Sequence, residues 1–144
     1  EGGGGMYNNN LMLGNATTAV DVTVDADPVV QRNHIYGNWK HCIHVHKQGK
    51  GKYMHNHLAH AIQGICVSDS RAEPQPEFEK NMIFSCTEAG IMVTDAGQGV
   101  FRRNLLTRNF PAQVVVKTMY SSPHFEANEV FDASIGFLLE HEAE

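Results

Sequence analysis

Apolar residues recur along this chain in short alternating bursts, and the bursts recur in turn. Six asparagines mark the period: Asn10, Asn33, Asn56, Asn81, Asn104 and Asn128, at spacings of 23, 23, 25, 23 and 24 residues. Two positions after each comes an apolar residue: Met12, Ile35, Leu58, Ile83, Leu106 and Val130. Further on comes an apolar pair at alternate positions: Val20/Val22, Ile43/Val45, Ile65/Val67, Ile91/Val93, Val114/Val116 and Phe137/Leu139. Ahead of the asparagines stand Tyr7, Val30, Tyr53, Phe78, Phe101 and Phe125. Ahead of those stands Gly or Pro: Gly5, Pro28, Gly51, Pro76, Gly99 and Pro123.

Each unit thus carries three period-2 segments parted by turn residues, which predicts three short strands and three turns. A repeat of this length is one turn of a solenoid. The pattern predicts an all-β, right-handed, single-stranded parallel β-helix of six coils, each 23–25 residues long, forming one domain over residues 1–144. Copies one period apart stack about 4.8 Å from each other. That predicts an inward aromatic column (Tyr53, Phe78, Phe101, Phe125) and a β-branched column (Ile43, Ile65, Ile91, Val114). The asparagines are expected to form an internal amide ladder, which satisfies a polar group that is costly to bury alone. A leucine-rich repeat of similar period needs a helical return, and the Gly, Pro and β-branched segments oppose one. The two extra residues between Asn56 and Asn81 fall in Arg71–Pro76 and belong in a turn. Gly-type and Pro-type units alternate, so glycine is expected to supply positive φ in one turn type.

Composition narrows the function classes. Apolar residues make up 42% and charged residues 19%, the balance of a folded protein. The net charge of −5 argues against nucleic acid, and no apolar run approaches a membrane span. Cys42, Cys66 and Cys86 are odd in number and lack C-x-x-C spacing, so an intracellular, reducing location is expected, with no structural metal or cofactor.

The strings HVHKQGKGKYMHNHL, VTDAGQGVFRRNLL and DADPVVQRNHIYGN resemble the β-helix repeats (CASH type, pectin-lyase-like fold) of F-box-only ubiquitin-ligase receptors. SHC-SH2-domain-binding proteins and nitrous-oxide-reductase maturation proteins carry similar coils. The resemblance runs from about Gly3 to Leu139 and implies recognition of a protein substrate or partner by the β-helix. It carries over no catalytic residues. The receptors' F-box and zinc finger have no counterpart here, so the chain is expected to be part of a longer solenoid, with other domains of its parent chain as further partners.

Many parallel β-helices act on polysaccharides through clustered carboxylates. Here Asp69 and Asp95 hold equivalent positions on adjacent coils; solvated turn aspartates are the simpler reading. His44 and His46 face outward together, but a zinc site needs a third ligand, and the register places His41, His55 and His60 on other faces. Cys66 stacks beside His44, yet nothing supplies an oxyanion hole for a Cys–His nucleophile. No catalytic residue and no metal site are therefore assigned. A scaffold coil within a cytoskeletal or ciliary assembly is a third reading.

Two partner-binding surfaces are predicted. Arg32, His55, Lys80 and Arg103 precede successive ladder asparagines and form a basic stripe, widened by Arg102 and Arg108. It suits an acidic or phosphorylated peptide through charge-assisted hydrogen bonds. The outward column Asp21, His44, Cys66, Met92, Val115, Leu138 turns apolar toward its end, and Met92, Val115 and Leu138 are expected to be exposed for a partner or covered by the tail 140–144.

Overall fold

The computed structural model describes residues Gly2–Glu140. Its chain winds through six coils of three strands. The coils are β1 (Gly4–Asn8), β2 (Leu11–Leu13) and β3 (Thr18–Val22); β4 (Asp27–Gln31), β5 (His34–Tyr36) and β6 (His41–His46); and β7 (Lys52–Met54), β8 (His57–Ala59) and β9 (Gln63–Ser68). They continue with β10 (Glu77–Glu79), β11 (Met82–Phe84) and β12 (Ala89–Thr94); β13 (Val100–Arg102), β14 (Leu105–Thr107) and β15 (Ala112–Lys117); and β16 (His124–Glu126), β17 (Glu129–Phe131) and β18 (Ile135–Glu140). Every third strand pairs in parallel, giving three six-stranded sheets led by β1, β2 and β3. The expected all-β parallel β-helix is the observed one. No helix among the described residues is long and apolar enough to cross a membrane.

The predicted inward columns fill the interior. Tyr53, Phe78, Phe101, Ile43, Ile65, Ile91 and Val114 are all fully buried. The rings of Tyr53, Phe78, Phe101 and Phe125 stack at centroid distances of 4.6, 4.8 and 4.7 Å, the offset spacing that parallel strands impose.

The amide ladder closes as predicted. Asn81 Nδ2 donates to Asn104 Oδ1 at 3.0 Å and to the Tyr53 carbonyl at 2.9 Å. Its own Oδ1 accepts from the Asn56 main-chain N–H and side-chain amide, both at 3.0 Å. The same set repeats at Asn33, Asn56 and Asn104, and Asn10 and Asn128 complete the run with part of it. A second, shorter ladder lies at the next corner. There Asn15 Nδ2 donates to Asn38 Oδ1 at 2.9 Å, and Asn109 Oδ1 accepts from the Cys86 N–H at 2.9 Å.

The third sheet breaks strict alternation. Cys42 and Ile43 are consecutive, and both point inward with no exposure. The equivalent position holds Gly64 and Gly90, where an added Cβ would lie 2.5 Å from Ile83 Cγ2 and 2.7 Å from Asn109 Nδ2. This doubled inward step means that His41 and His44, three apart, share the outer face. Gly5 and Gly51 take φ of 125° and 119°, as expected of the Gly-type turn, whereas Gly99 is outside the left-handed range. Gly99 is instead required by close approach, since a Cβ there would meet the Phe101 ring at 3.1 Å. The longer turn over residues 71–76 is held partly by the Arg71 guanidinium, 5.4 Å from the Tyr120 ring centre.

Candidate functional site

The basic residues are placed by the corner between the first and second sheets. Arg32, His55, Lys80 and Arg103 all adopt left-handed backbone, at φ of 53°, 56°, 54° and 52°. The chain must turn there while still donating to the next coil: the N–H groups of Arg32, His55 and Lys80 reach the carbonyls of Met54, Glu79 and Arg102, each at 3.1 Å. The side chains are thereby thrown outward, and all four residues are exposed. The structure therefore brings the predicted stripe together. It also shows acidic neighbours within it. Glu79 Oε1 lies 3.2 Å from Arg103 Nη1 and 3.6 Å from Lys80 Nζ. Arg102 Nε donates to Glu126 Oε2 at 2.9 Å, and that guanidinium lowers the Glu126 carboxyl below its ordinary range. Arg108 does not widen the stripe: it occupies the next corner, after β14, also with left-handed backbone.

The predicted apolar column is corrected. Asp21, His44, Cys66, Met92, Val115 and Leu138 are in register on the outer face of the third sheet. Yet Met92 is 2% and Val115 5% exposed, and only Leu138 is half-buried. Ala89 and Ala112 sit beside them in a small outer cluster, so each apolar side chain is covered by its stacked copies and its row neighbours. Lys40, Gln63, Thr94, Asp95 and Lys117 rim the shallow groove over Cys66 and Met92. The tail residues 141–144, expected as a possible cover, lie outside the described residues.

The accessible apolar face is on the second sheet instead. One outward column runs Leu11, His34, His57, Met82, Leu105, Glu129; the other runs Leu13, Tyr36, Ala59, Phe84, Thr107, Phe131. Tyr36 sets its ring 5.9 Å from His34, 6.5 Å from His60 and 6.2 Å from Phe84, while His34 and His57 lie 4.8 Å apart. Leu11, Leu13 and Phe131, in the first and last coils, are among the exposed large apolar residues, Tyr36 and Phe84 are half-buried, and Ala59 and Thr107 are buried between them. Each basic corner residue stands two positions before an outward residue of this face: Arg32 before His34, Lys80 before Met82, Arg103 before Leu105. The basic corner is thus one rim of the apolar face. Along the opposite rim runs an open groove of about 510 Å³ lined by Asn15, Trp39, His60, Ser85 and Thr87 among others. Trp39 there is 74% exposed.

The histidines of β6 are closer-knit than expected. His41 lies on the same outer face as His44, with ring centres 4.5 Å apart, not on another face. Its Nδ1 is 3.0 Å from Thr18 Oγ1, and burial lowers its pKa to about 4. Burial and the neighbouring His46 also lower His44. The third group near His44 and His46, which sequence spacing left unassigned, is Asp21 on the preceding coil, 3.3 Å from His44 Nδ1 and 3.2 Å from His46 Nε2. Its signal was the one-coil offset between Asp21 and His44.

Asp69 and Asp95 are neighbours as expected, the Asp69 N–H donating to the Asp95 carbonyl at 2.8 Å. Both have left-handed backbone, at φ of 46° and 51°, a conformation that aspartate tolerates in turns. Burial pushes the Cys66 thiol up to about 12, so it stays protonated at neutral pH and is a poor nucleophile. Burial likewise raises Cys42 to about 11 and Cys86 to about 12.

The family model of the right-handed β-helix region matches residues 18–144. No curated protein and no solved structure matches the chain.

Proposed function

The chain belongs to the right-handed β-helix family, and from that premise we propose that it is a non-enzymatic recognition module for an acidic polypeptide with apolar anchors. The observation that carries this reading is the adjacency of the aromatic and apolar face of the second sheet to the basic corner of Arg32, His55, Lys80 and Arg103. An apolar centre rich in Tyr, Met, Phe and His with a charged rim is the usual anatomy of a protein interface. The rim's sign selects the partner. Arg32, Lys80, Arg102 and Arg103 outnumber Glu79, Glu126 and Glu129, on a protein whose net charge is −5. Acidic or phosphorylated residues flanking apolar anchors match that arrangement. Within this class, the resemblance to F-box-only receptors supports a finer role, in which the partner is a substrate presented for ubiquitin transfer by domains elsewhere.

The test is a peptide array in which acidic and apolar positions vary independently. Selection of peptides carrying both features is expected, with affinity falling as salt rises. Joint replacement Arg32→Glu, Lys80→Glu and Arg103→Glu is expected to abolish selection while the fold, read by circular dichroism, persists. Selection indifferent to acidic residues, or surviving the triple replacement, sinks the reading.

The groove at Trp39 favours a second reading, a carbohydrate-binding surface, because an exposed indole beside Asn, Ser, Thr and His groups suits stacking on a sugar ring. Retardation in affinity electrophoresis through polysaccharide gels, lost in Trp39→Ala, would favour it over the peptide reading.

A further inference from the structure

We propose that Asp21, His44 and His46 form a surface site for a divalent transition metal ion, with zinc as its reference occupant. The inference is independent of the peptide-recognition reading and uses a different sheet. His44 and His46 are alternate residues of β6, so both imidazoles leave the outer face of the third sheet on the same side. Their rings lie parallel, 4.1 Å apart with an interplanar angle of 3°. Asp21 stands directly opposite His44 on β3, one coil earlier. Its Oδ1 faces both rings, 3.3 Å from His44 Nδ1 and 3.2 Å from His46 Nε2. The three donor atoms lie within 4.8 Å of one another.

These distances fit an ion. Zinc binds imidazole nitrogen and carboxylate oxygen at about 2.0–2.2 Å in a tetrahedron, whose ligand–ligand edges are then roughly 3.3–3.5 Å. The two Asp21–His distances already have that length. The nitrogen–nitrogen edge, within 4.8 Å here, would close on an ion by a tilt of the two parallel rings toward a common point. The donor set is borderline in softness, two imidazoles and one carboxylate, which suits zinc and its first-row neighbours and not calcium or magnesium.

A second observation points the same way. His44 Nε2 is 3.0 Å from Ser68 Oγ on the following coil. In the tautomer whose Nε2–H donates to that hydroxyl, Nδ1 on the Asp21 side carries the lone pair that a metal ion would take. Fixing a ligand imidazole through its other nitrogen is how metal sites orient their histidines. Asp21 is half exposed, with side-chain accessibility of 53%, so the site has a route from solvent and an open fourth position. Lys40 is the cation that faces this cluster and opposes metal affinity; His41, bonded to Thr18, sits beside it as a neutral neighbour.

Titration calorimetry of the metal-free protein with zinc chloride tests the proposal, with cobalt(II) visible absorption as a second readout of coordination geometry. Binding of one ion per chain is expected, with tetrahedral cobalt absorption. Asp21→Asn and His46→Gln are each expected to weaken binding by more than about 100-fold, because loss of an outer-sphere partner alone costs about 10–100-fold. Ser68→Ala is expected to fall in that smaller range. His124→Gln, on a distant strand, leaves binding unchanged. Asp21→Asn keeps the test sound if a histidine variant fails to fold, since Asp21 is exposed in the first coil. Absence of zinc binding, or binding that survives Asp21→Asn and His46→Gln alike, overturns the site and leaves the cluster as a hydrogen-bonded histidine pair.

Discussion

At the scale of single residues, the ladder asparagines show most directly how this sequence fixes its structure. Asn81 is 1% exposed and satisfies Asn56 on one side, Asn104 on the other, and the Tyr53 carbonyl between. Asn81→Ala strands several buried polar groups at about 1–3 kcal/mol each, so a loss of roughly 3 kcal/mol or more is expected in urea denaturation. The same change at exposed Asn10 is expected to cost well under half as much. The ladder was legible because a buried amide must recur at one fixed position. The second ladder was equally written, as Asn15, Asn38 and Asn109, each five residues past a ladder asparagine, but it is interrupted by Ala61 and Cys86 and so escaped notice. His41 supplies a pH prediction. Burial depresses its folded pKa from 6.5 to about 4, so between these values the unfolded chain binds more protons. Stability is therefore expected to be full above pH 6.5 and to fall as the pH drops toward 4. The lowered pKa of His44 acts in the same direction. Thermal melts across that range check this, and His41→Gln is expected to flatten the slope.

At the scale of strands and sheets, the period-2 rule read the inner faces correctly and misread part of the outer ones. It placed Ile43, Ile65, Ile91 and Val114 inside, where they are. It missed the doubled inward step at Cys42–Ile43 and its copies at Gly64 and Gly90, because alternation counts positions and does not register a residue tucked into a corner. His41 was assigned to the wrong face for that reason. A different cause buried Met92 and Val115: both point outward as read, but stacked copies close over one another, and a single sequence does not weigh that mutual cover. Gly90→Ala is the sharpest test of the step. Its Cβ would fall 2.7 Å from Asn109 Nδ2 and 2.9 Å from the Gln113 carbonyl, and overpacking of this kind costs about 1–3 kcal/mol. Gly3→Ala, with open space around it, is expected to leave the denaturation midpoint unchanged. Glu79 supplies an element-scale test of recognition. It draws on both Lys80 and Arg103 at the sheet's corner, in exposed pairs worth at most about 1 kcal/mol. Glu79→Gln is expected to change stability little and to tighten binding of an acidic array peptide several-fold, measured by fluorescence anisotropy.

Across the whole molecule, stability follows from the solenoid's one-dimensional order. Each coil packs mainly on its neighbours, so among the described residues the inner coils are supported on two sides and the first and last on one. Burial tracks this. Tyr53, Phe78 and Phe101 in the middle have no exposure, while Tyr7 in the first coil is 48% exposed and Phe137 in the last is 45% exposed. The same inward columns therefore bury apolar area unequally along the axis, although their sequence text is nearly identical. Hydrogen exchange is expected to show the gradient: amides of β8, β9, β11 and β12 exchange slowest, and those of β2, β17 and β18 fastest. The candidate surfaces divide along it. The basic corner at Lys80 and Arg103 and the rings of Tyr36 and Phe84 stand on inner coils, a firm platform for a partner. Asp21 stands on the first coil, held to His44 and His46 through the β3–β6 pairing and its contacts with both rings. An ion bridging the three side chains ties the first coil to the second, so zinc is expected to slow exchange in β3 and leave β12 unaffected. Uniform slowing along the axis would mean that the coils open together and not from the ends, and slowing confined to β12 would place the ion elsewhere.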